Sequence, residues 1–229
     1  MPIINLVYEA PEQWKPWANT IAYYPLNWDA NDYSWNSRNL TNNGVTFNTS
    51  LASWQKVAYF SWSSTNLSLI GQNISTSAIT LSMWLNKSRN SNEEIFMEIL
   101  GANVNDFIIQ STNSNIGNMW LSWWIDSNNN SSLWYNNTGI SNWTRRHIVA
   151  VLDSNWCRLY QNWQKLSLTY SRWSESLALW TRAFTQFYLW WRSWVFWQWY
   201  ISEAIYENKA RTAQEISDYY NQTKANYGL

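Results

Sequence analysis

Glycine is scarce in this chain: 6 residues in 229, where an ordinary protein carries about 7%. Tight turns lean on glycine because only a residue without Cβ takes positive φ at no cost. Cysteine occurs once, at Cys157, which excludes an internal disulfide framework and a cysteine metal cluster and leaves a small apolar residue in a strand. Histidine also occurs once, at His147, so a multi-histidine metal site is excluded and a Ser-His-Asp triad would rest on it alone. There is no charge of either sign in excess: 15 Lys+Arg face 15 Asp+Glu, and the longest basic run is the pair Arg145-Arg146. That gives no electrostatic case for nucleic acid or an anionic membrane. An aromatic content of 18% could serve base stacking only beside a basic groove that holds phosphates. Long hydrophobic runs are missing too, so no membrane-inserting helix is expected. The N-terminal "MPIINLVYEAPEQW" lacks both a basic start and an apolar run of roughly 7–15 residues, so no signal peptide is expected.

What the chain has instead is 21 tryptophans and 30 asparagines. Short strand-like runs recur: residues 21–26 (IAYYPL), 56–60, 78–85 (AITLSMWL), 93–100 (EEIFMEIL), 105–110, 146–153 (RHIVAVLD), 157–161, 183–189 and 200–207. Many alternate apolar with polar residues, the period-two signature of a half-buried strand. In "TLSMWL", Leu81, Met83 and Leu85 are predicted to face one way, Ser82 and Trp84 the other. One helix is expected, near the end: Thr212-Ala213-Gln214-Glu215 fits a capping box, and Ile216, Tyr219 and Tyr220 then share a face. Regular strands with turn-rich connections predict an all-β fold: a two-sheet antiparallel β-sandwich (jelly roll) with one short C-terminal helix. The predicted organisation is an N-terminal extension at 1–19, one domain at 20–222 and a tail at 223–229 that frays or opens a linker.

The tryptophans stand where turns want glycine. "NWDANDYSWN" (27–36) is made of turn formers, with Trp28 and Trp35 at its tightest points. "DSNWCRLYQNWQKL" (153–166) becomes strand, Asn-Gly turn, strand, Asn-Gly turn, strand when Trp156 and Trp163 are replaced by glycine. Asn-Gly suits a type I′ turn, which needs positive φ at both central residues.

With that replacement the chain resembles the laminin-G-like, concanavalin A-like jelly-roll family over about residues 20–222. "IAYYPLNWDANDYSWNSRNLTNNGVTF" is similar to the family's Tyr-Tyr-Pro-Leu-x-Gly-x-Ala-x-Asp-x-Ser-Gly-Asn signature, with Trp28 and Trp35 at its glycines. "SWQKVAYFSW" resembles its glycine-flanked strand, "ITLSMWL" a strand carrying a true tryptophan (Trp84), and "NWTRRHIVAVLD" its Trp-His-His-Val-Ala-Val strand, making Trp143 genuine. The family carries a histidine in that strand with no catalytic role. "LYQNWQKL" is similar to its Tyr-x-Asp-Gly turn, with Asn162 and Trp163 in place of Asp and Gly. "FWQWYISEAIYENKARTAQEI" resembles its closing strand and helix, though Ser202 replaces an Asp and Arg211 a Leu. Some uncultured bacterial lineages and their viruses read UGA as glycine, and a table reading UGA as Trp would give this pattern. Glycine is accordingly expected at Trp28, Trp35, Trp54, Trp62, Trp156, Trp163, Trp190, Trp191, Trp194, Trp197 and Trp199. Trp120, Trp123, Trp124, Trp173 and Trp180 stay open, as does an authentic tryptophan-rich protein with an aromatic binding surface.

Catalysis finds little support. The nearest approach to the Glu-x-Asp-x-(x)-Glu strand of laminarinase-type glycoside hydrolases is "EIFMEIL", where Glu94, Phe96 and Glu98 would share a face of a regular strand. The central Asp is missing, and residues four apart lie about 13 Å apart, beyond the roughly 5–9.5 Å that glycosidase carboxyls need. A solvated strand face is the expectation, and a catalytic residue is not. Calcium is the one plausible cofactor: Asp29 and Asp32, with Asn27 and Asn31, offer hard oxygen ligands, and Glu203 could complete the site. Asx turns that merely stabilise the loop are the competing reading, and Asn162 and Ser202 reduce the available charge. The resemblance implies a non-catalytic binding or adhesion module for glycan or surface protein, at the cell or virion surface. The alternatives are a structural decoration domain of a virion or appendage and, disfavoured, a glycoside hydrolase.

Overall fold

Period-two runs bury one face only when strands pair edge to edge and two such sheets stack. The computed structural model describes residues 18–52, 55–61, 65–87, 94–101, 106–111, 119–126, 129–135, 144–153, 157–170, 182–189 and 199–229. In chain order the strands are β1 (Thr20–Tyr24), β2 (Thr41–Asn43), β3 (Thr46–Ala52), β4 (Gln55–Phe60), β5 (Asn66–Thr76), β6 (Ile79–Lys87), β7 (Glu94–Gly101) and β8 (Asp106–Ser111). There follow β9 (Met119–Asp126), β10 (Asn129–Tyr135), β11 (Arg145–Leu152), β12 (Cys157–Gln161), β13 (Gln164–Lys165), β14 (Thr169–Tyr170), β15 (Arg182–Leu189) and β16 (Trp199–Glu207). The helix α1 (Ala213–Thr223) and a 3-10 turn (Lys224–Tyr227) close the chain.

All pairings are antiparallel, in two sheets. Sheet A runs β13-β12-β11-β6-β16-β4-β3, with β1 also paired to β16; sheet B runs β14-β10-β9-β8-β7-β15-β5-β2. The chain is an all-β sandwich with one short C-terminal helix. Between the sheets, Leu81, Met83 and Leu85 of β6, Ile148 and Ala150 of β11 and Tyr206 of β16 meet Leu67 and Leu69 of β5, Met97 and Ile99 of β7 and Phe187 and Leu189 of β15. Each leucine, isoleucine, methionine and phenylalanine among them contributes about 1.5–3 kcal/mol by leaving water.

Ser82 and Trp84 face away from this core, as the alternation predicts. The outer face of sheet A is covered by α1, with Ile216 packed on Val149, Val151 and Tyr160. The predicted capping box forms: Thr212 Oγ1 accepts from the Glu215 amide at 3.2 Å, and the Thr212 amide donates to Glu215 Oε2 at 2.8 Å. Residues 223–229, expected to fray, are seated: Thr223 still belongs to α1, and the Tyr227 ring stacks on Trp84 with centroids 4.2 Å apart. Trp84 is fully buried and also stacks on His147 and Tyr220.

The turn between β12 and β13 has two residues, with Gln161 paired to Gln164 and with Asn162 at φ 48° and Trp163 at φ 68°. This is the predicted turn with positive φ at both positions, and its second residue is an indole. At the other glycine-like positions the outcome differs. In the 27–36 loop the left-handed residues are Leu26 and, just beyond, Ser37 (φ 56° and 53°), not Trp28 and Trp35, which instead project into solvent at 59% and 84% exposure. Trp199 departs furthest from the glycine expectation: it lies in β16, is 1% exposed and meets Phe96 edge-on at 4.6 Å. Trp120, Trp123 and Trp124 fall within β9. Trp54, Trp62, Trp143, Trp156, Trp173, Trp180, Trp190, Trp191, Trp194 and Trp197 lie outside the described residues.

Candidate functional site

The loop from β1 to β2 is organised by one carboxylate. Asp32 Oδ1 accepts from the amides of Tyr23 (2.9 Å) and Ser34 (2.8 Å), and Oδ2 from the Ser34 hydroxyl and the Arg38 amide, both at 2.8 Å. These four donors use the lone pairs a cation would need. Asp29 is exposed to its own turn, accepting from the Asn31 amide at 3.0 Å and from Asn31 Nδ2 at 2.7 Å, an Asx turn.

Glu203 belongs to a different place. In "YISEAIYE", strict alternation would put Ile201 and Glu203 on one face. A bulge between them breaks it: Ile201 pairs with Leu85 and stays in the core, while Glu203 pairs with Trp84 and turns toward α1. There Glu203 Oε2 accepts from the phenols of Tyr23 and Tyr227 (3.2 Å each) and Oε1 from Tyr219. Burial pushes the Glu203 carboxyl above its ordinary value, against the pull of the three phenols and Arg211. Burial, then the Glu203 charge, holds the Tyr219, Tyr227 and Tyr23 phenols well above theirs. Next to this cluster the His147 ring bonds Ser82 Oγ at 2.7 Å, and burial lowers its pKa to about 3, so it is neutral at physiological pH. Arg211 pairs with Glu207, and its amide donates to Thr80 Oγ1 at 3.0 Å. This network fastens α1 and the final turn to sheet A.

Asp29, Asp32 and Glu203 are therefore not one ligand set. Tyr23 spans the last two, its amide on Asp32 and its phenol on Glu203. Among the described residues, no group of three His, Cys, Asp or Glu side chains is placed to hold a metal ion.

The outer face of sheet B carries a second polar row. Glu98 stands between Met97 and Ile99, which enter the core, so it faces outward. It pairs with Tyr188, which pairs in turn with Ser68, and Ser68 with Thr41. Glu98, expected in solvent, is 1% exposed; Tyr188 is 6% exposed. Burial and then the Glu98 charge raise the Tyr188 phenol above its ordinary pKa. The phenol donates to Gln186 Oε1 at 2.7 Å. Beyond Ser68, Asn43 Nδ2 donates to Asn66 Oδ1 at 2.7 Å and to Ser68 Oγ at 3.2 Å. Ile70, paired with Gln186 on the same face, is 61% exposed. The predicted common face of Glu94, Phe96 and Glu98 does not hold, because a bulge at Phe96 turns that ring into the core.

No protein-family model and no curated protein sequence matches the chain. Solved structures do. The binding domain of Paraclostridial Mosquitocidal Protein 1 superposes with a TM-score of 0.71 at 16% identity, over 89% of this chain and 52% of that one. The botulinum neurotoxin serotype D ligand-binding domain, in complex with N-acetylneuraminic acid, gives 0.67 at 14% identity, over 89% and 51%. The chain thus spans about half the length of these toxin domains. Domain 4 of AbnA, an extracellular arabinanase from Geobacillus stearothermophilus, in complex with arabinotriose, gives 0.63 at 18% identity, over 87% of this chain and 97% of that domain. At these identities the likeness is one of fold.

Proposed function

We propose that the chain is a non-catalytic binding module that recognises glycan at a cell or particle surface, outside the cell. The observation that carries this reading is the end-to-end likeness to the arabinanase domain. That domain is matched along nearly its whole length and holds an oligosaccharide, so its ligand belongs to the shared fold. In the toxin domains half the chain has no counterpart here, and their ligands carry less weight. The missing central Asp in EIFMEIL and the burial of Glu98 support a non-catalytic reading. Among the described residues no helix is long and apolar enough to cross a membrane.

Recoded glycine belongs to the same proposal, in narrower form. The strained turn at Trp163 and the solvent-facing indoles of Trp28 and Trp35 support glycine there, whereas the core positions of Trp84 and Trp199 support tryptophan. Codons decide it: UGA at 28, 35 and 163 with UGG at 84 and 199 is expected, and UGG throughout would end the idea. Function is tested with a glycan array on the full chain, prepared with tryptophan and with glycine at those three positions. Selective oligosaccharide binding without hydrolysis is expected. A chain that binds only copies of itself or other capsid subunits would favour the decoration role.

A further inference from the structure

The loop from β1 to β2 turns its aromatic rings outward. Three of the six large hydrophobic side chains exposed among the described residues, Trp28, Tyr33 and Trp35, lie within eight positions, and Tyr33 is 52% exposed. Glycine at 28 and 35 would leave Tyr33 as the one ring of this loop. The backbone that carries it is pinned from beneath. Leu26, Ala30 and Leu40 enter the core. The Tyr33 amide donates to the Tyr23 carbonyl at 2.8 Å, and the Leu40 amide to the Ala30 carbonyl at 2.9 Å. Asn36 Nδ2 reaches the carbonyls of Thr20 and Ile21 at 2.8 and 3.0 Å. Together with the four donors on Asp32, these bonds hold the chain on both sides of Tyr33 before any ligand arrives, which lowers the ordering cost of binding. At the hydroxyl end of the ring stands Asp29. The Tyr33 phenol donates to Asp29 Oδ2 at 3.4 Å, and Asn31 Nδ2, on an exposed residue, donates to the same oxygen at 2.7 Å. Asp29 Oδ1 accepts from the Asn31 amide, so the carboxylate keeps acceptor sites for further donors.

We infer that Tyr33, Asp29 and Asn31 form the sugar-binding corner of this module, and that its ligand is a neutral oligosaccharide. The negative face of a phenol ring attracts C–H groups, which one side of a pyranose or furanose ring presents. Hydroxyls at the rim of that sugar then meet a carboxylate that accepts them in charge-assisted bonds and a carboxamide that both donates and accepts. Around its ring the loop offers Asn, Ser and Asp, not the apolar core of a protein–protein interface. Residues 27–40 hold three charged side chains, Asp29, Asp32 and Arg38. Asp32 is enclosed by its four donors, and Arg38 turns to the Ile21 carbonyl and Gln72, which leaves Asp29 as the charge beside the ring. A sialic or uronic acid would set a second carboxylate against it, and like charges placed together disfavour the wrong partner. This inference rests on the binding-module reading and adds a place and a class to it.

Calorimetric titration of the full chain, in the form its codons specify, with arabinotriose, cellotriose and 3′-sialyllactose tests both. At least one neutral trisaccharide should bind, and sialyllactose should bind about tenfold more weakly or worse. Tyr33→Ala should reduce affinity about tenfold at an unchanged melting temperature, whereas Tyr33→Phe, which keeps the ring, should stay within about threefold. If Tyr33→Ala fails to fold, Tyr33→Leu is read in its place. Asp29→Asn and Asn31→Ala should each weaken binding severalfold, the scale of one hydrogen bond. Neutral-sugar binding indifferent to the loss of the Tyr33 ring overturns the assignment of this loop, and preference for sialyllactose overturns the ligand class; either leaves the binding module standing. Silence toward every glycan on the array and in the calorimeter overturns both.

Discussion

Replacing Trp163 by glycine and by alanine separates backbone strain from side-chain packing. Trp163 sits at φ 68° in a two-residue turn whose other member, Asn162, is at φ 48°. A residue with a Cβ in the left-handed region costs about 1–2 kcal/mol. Asparagine tolerates that region and tryptophan does not. Glycine removes the penalty but adds about 0.5–1 kcal/mol of unfolded-state freedom. Both substitutions delete the same indole, which is 44% exposed, so the packing loss is common to both and cancels in their difference. Trp163→Gly should therefore be more stable than Trp163→Ala by about 0.5–1 kcal/mol. At 229 residues that is roughly 1–4 °C in melting temperature, readable by scanning calorimetry or urea titration. At Trp35, whose φ is not positive, the order should reverse, with alanine above glycine by about 0.5–1 kcal/mol. Trp84→Gly should cost about 3–5 kcal/mol, because that ring is fully buried among His147, Tyr220 and Tyr227. Alanine equal to or better than glycine at 163 would refute the strain argument.

Four further outcomes follow from the polar contacts. Asp32→Ala removes the acceptor of four hydrogen bonds and should cost about 3 kcal/mol or more, since buried donors are left unpaired; chemical denaturation reads it directly. The same melts run with calcium and with chelator should coincide, because Asp29, Asp32 and Glu203 do not converge; a calcium-dependent rise would contradict that geometry. Thr212→Ala should cost about 1 kcal/mol through the lost cap without changing sugar affinity. Glu203 titrates with a raised folded-state value, so its contribution is full below the unfolded carboxyl pKa and is lost as pH rises through the folded one. Glu207 shifts in the same direction, and Glu215, held down by Lys209 and the cap, contributes the opposite slope. Glu203→Gln should therefore gain on the parent chain as pH rises from about 4.5, and a pH-independent difference between the two would remove Glu203 as the source.

Much of the fold was legible because β6 alternates, β11 and β16 are rich in β-branched and aromatic residues, and the capping box marks α1 without ambiguity. Strands β2, β3, β5, β9, β10 and β14 escaped. β5 reads NLSLIGQNIST, where Gly71 at φ 79° and repeated Asn and Ser look like a turn; the structure has a register break there instead, with pairing to β15 resuming at Ile74. β9 and β10 are rich in tryptophan or asparagine and lack an apolar alternation of two. Of the site, Asp32 and Glu203 stood out as carboxylates in informative contexts, but not their roles. The bulge that turns Glu203 away from the core, and the one that sends Phe96 into it, are single-residue shifts in register. They depend on which partner residue lies opposite, and one strand alone does not contain that information. Glu98 does face outward, and its burial there is a matter of tertiary packing that strand alternation does not encode.

The net charge of zero hides an uneven division: the strands of sheet A carry six cations and two acids. Sheet A spends its cations locally: Arg145 donates to the Tyr227 carbonyl where the final turn ends, and Arg158 pairs with Asp153. At the helix entrance Arg211 pairs with Glu207, and Lys209 reaches Glu215 in the first turn of α1. A cation at a carbonyl end and an acid at an amide end are the placements a helix favours, so Arg145 and the Lys209–Glu215 pair hold the two ends of the C-terminal helical segment.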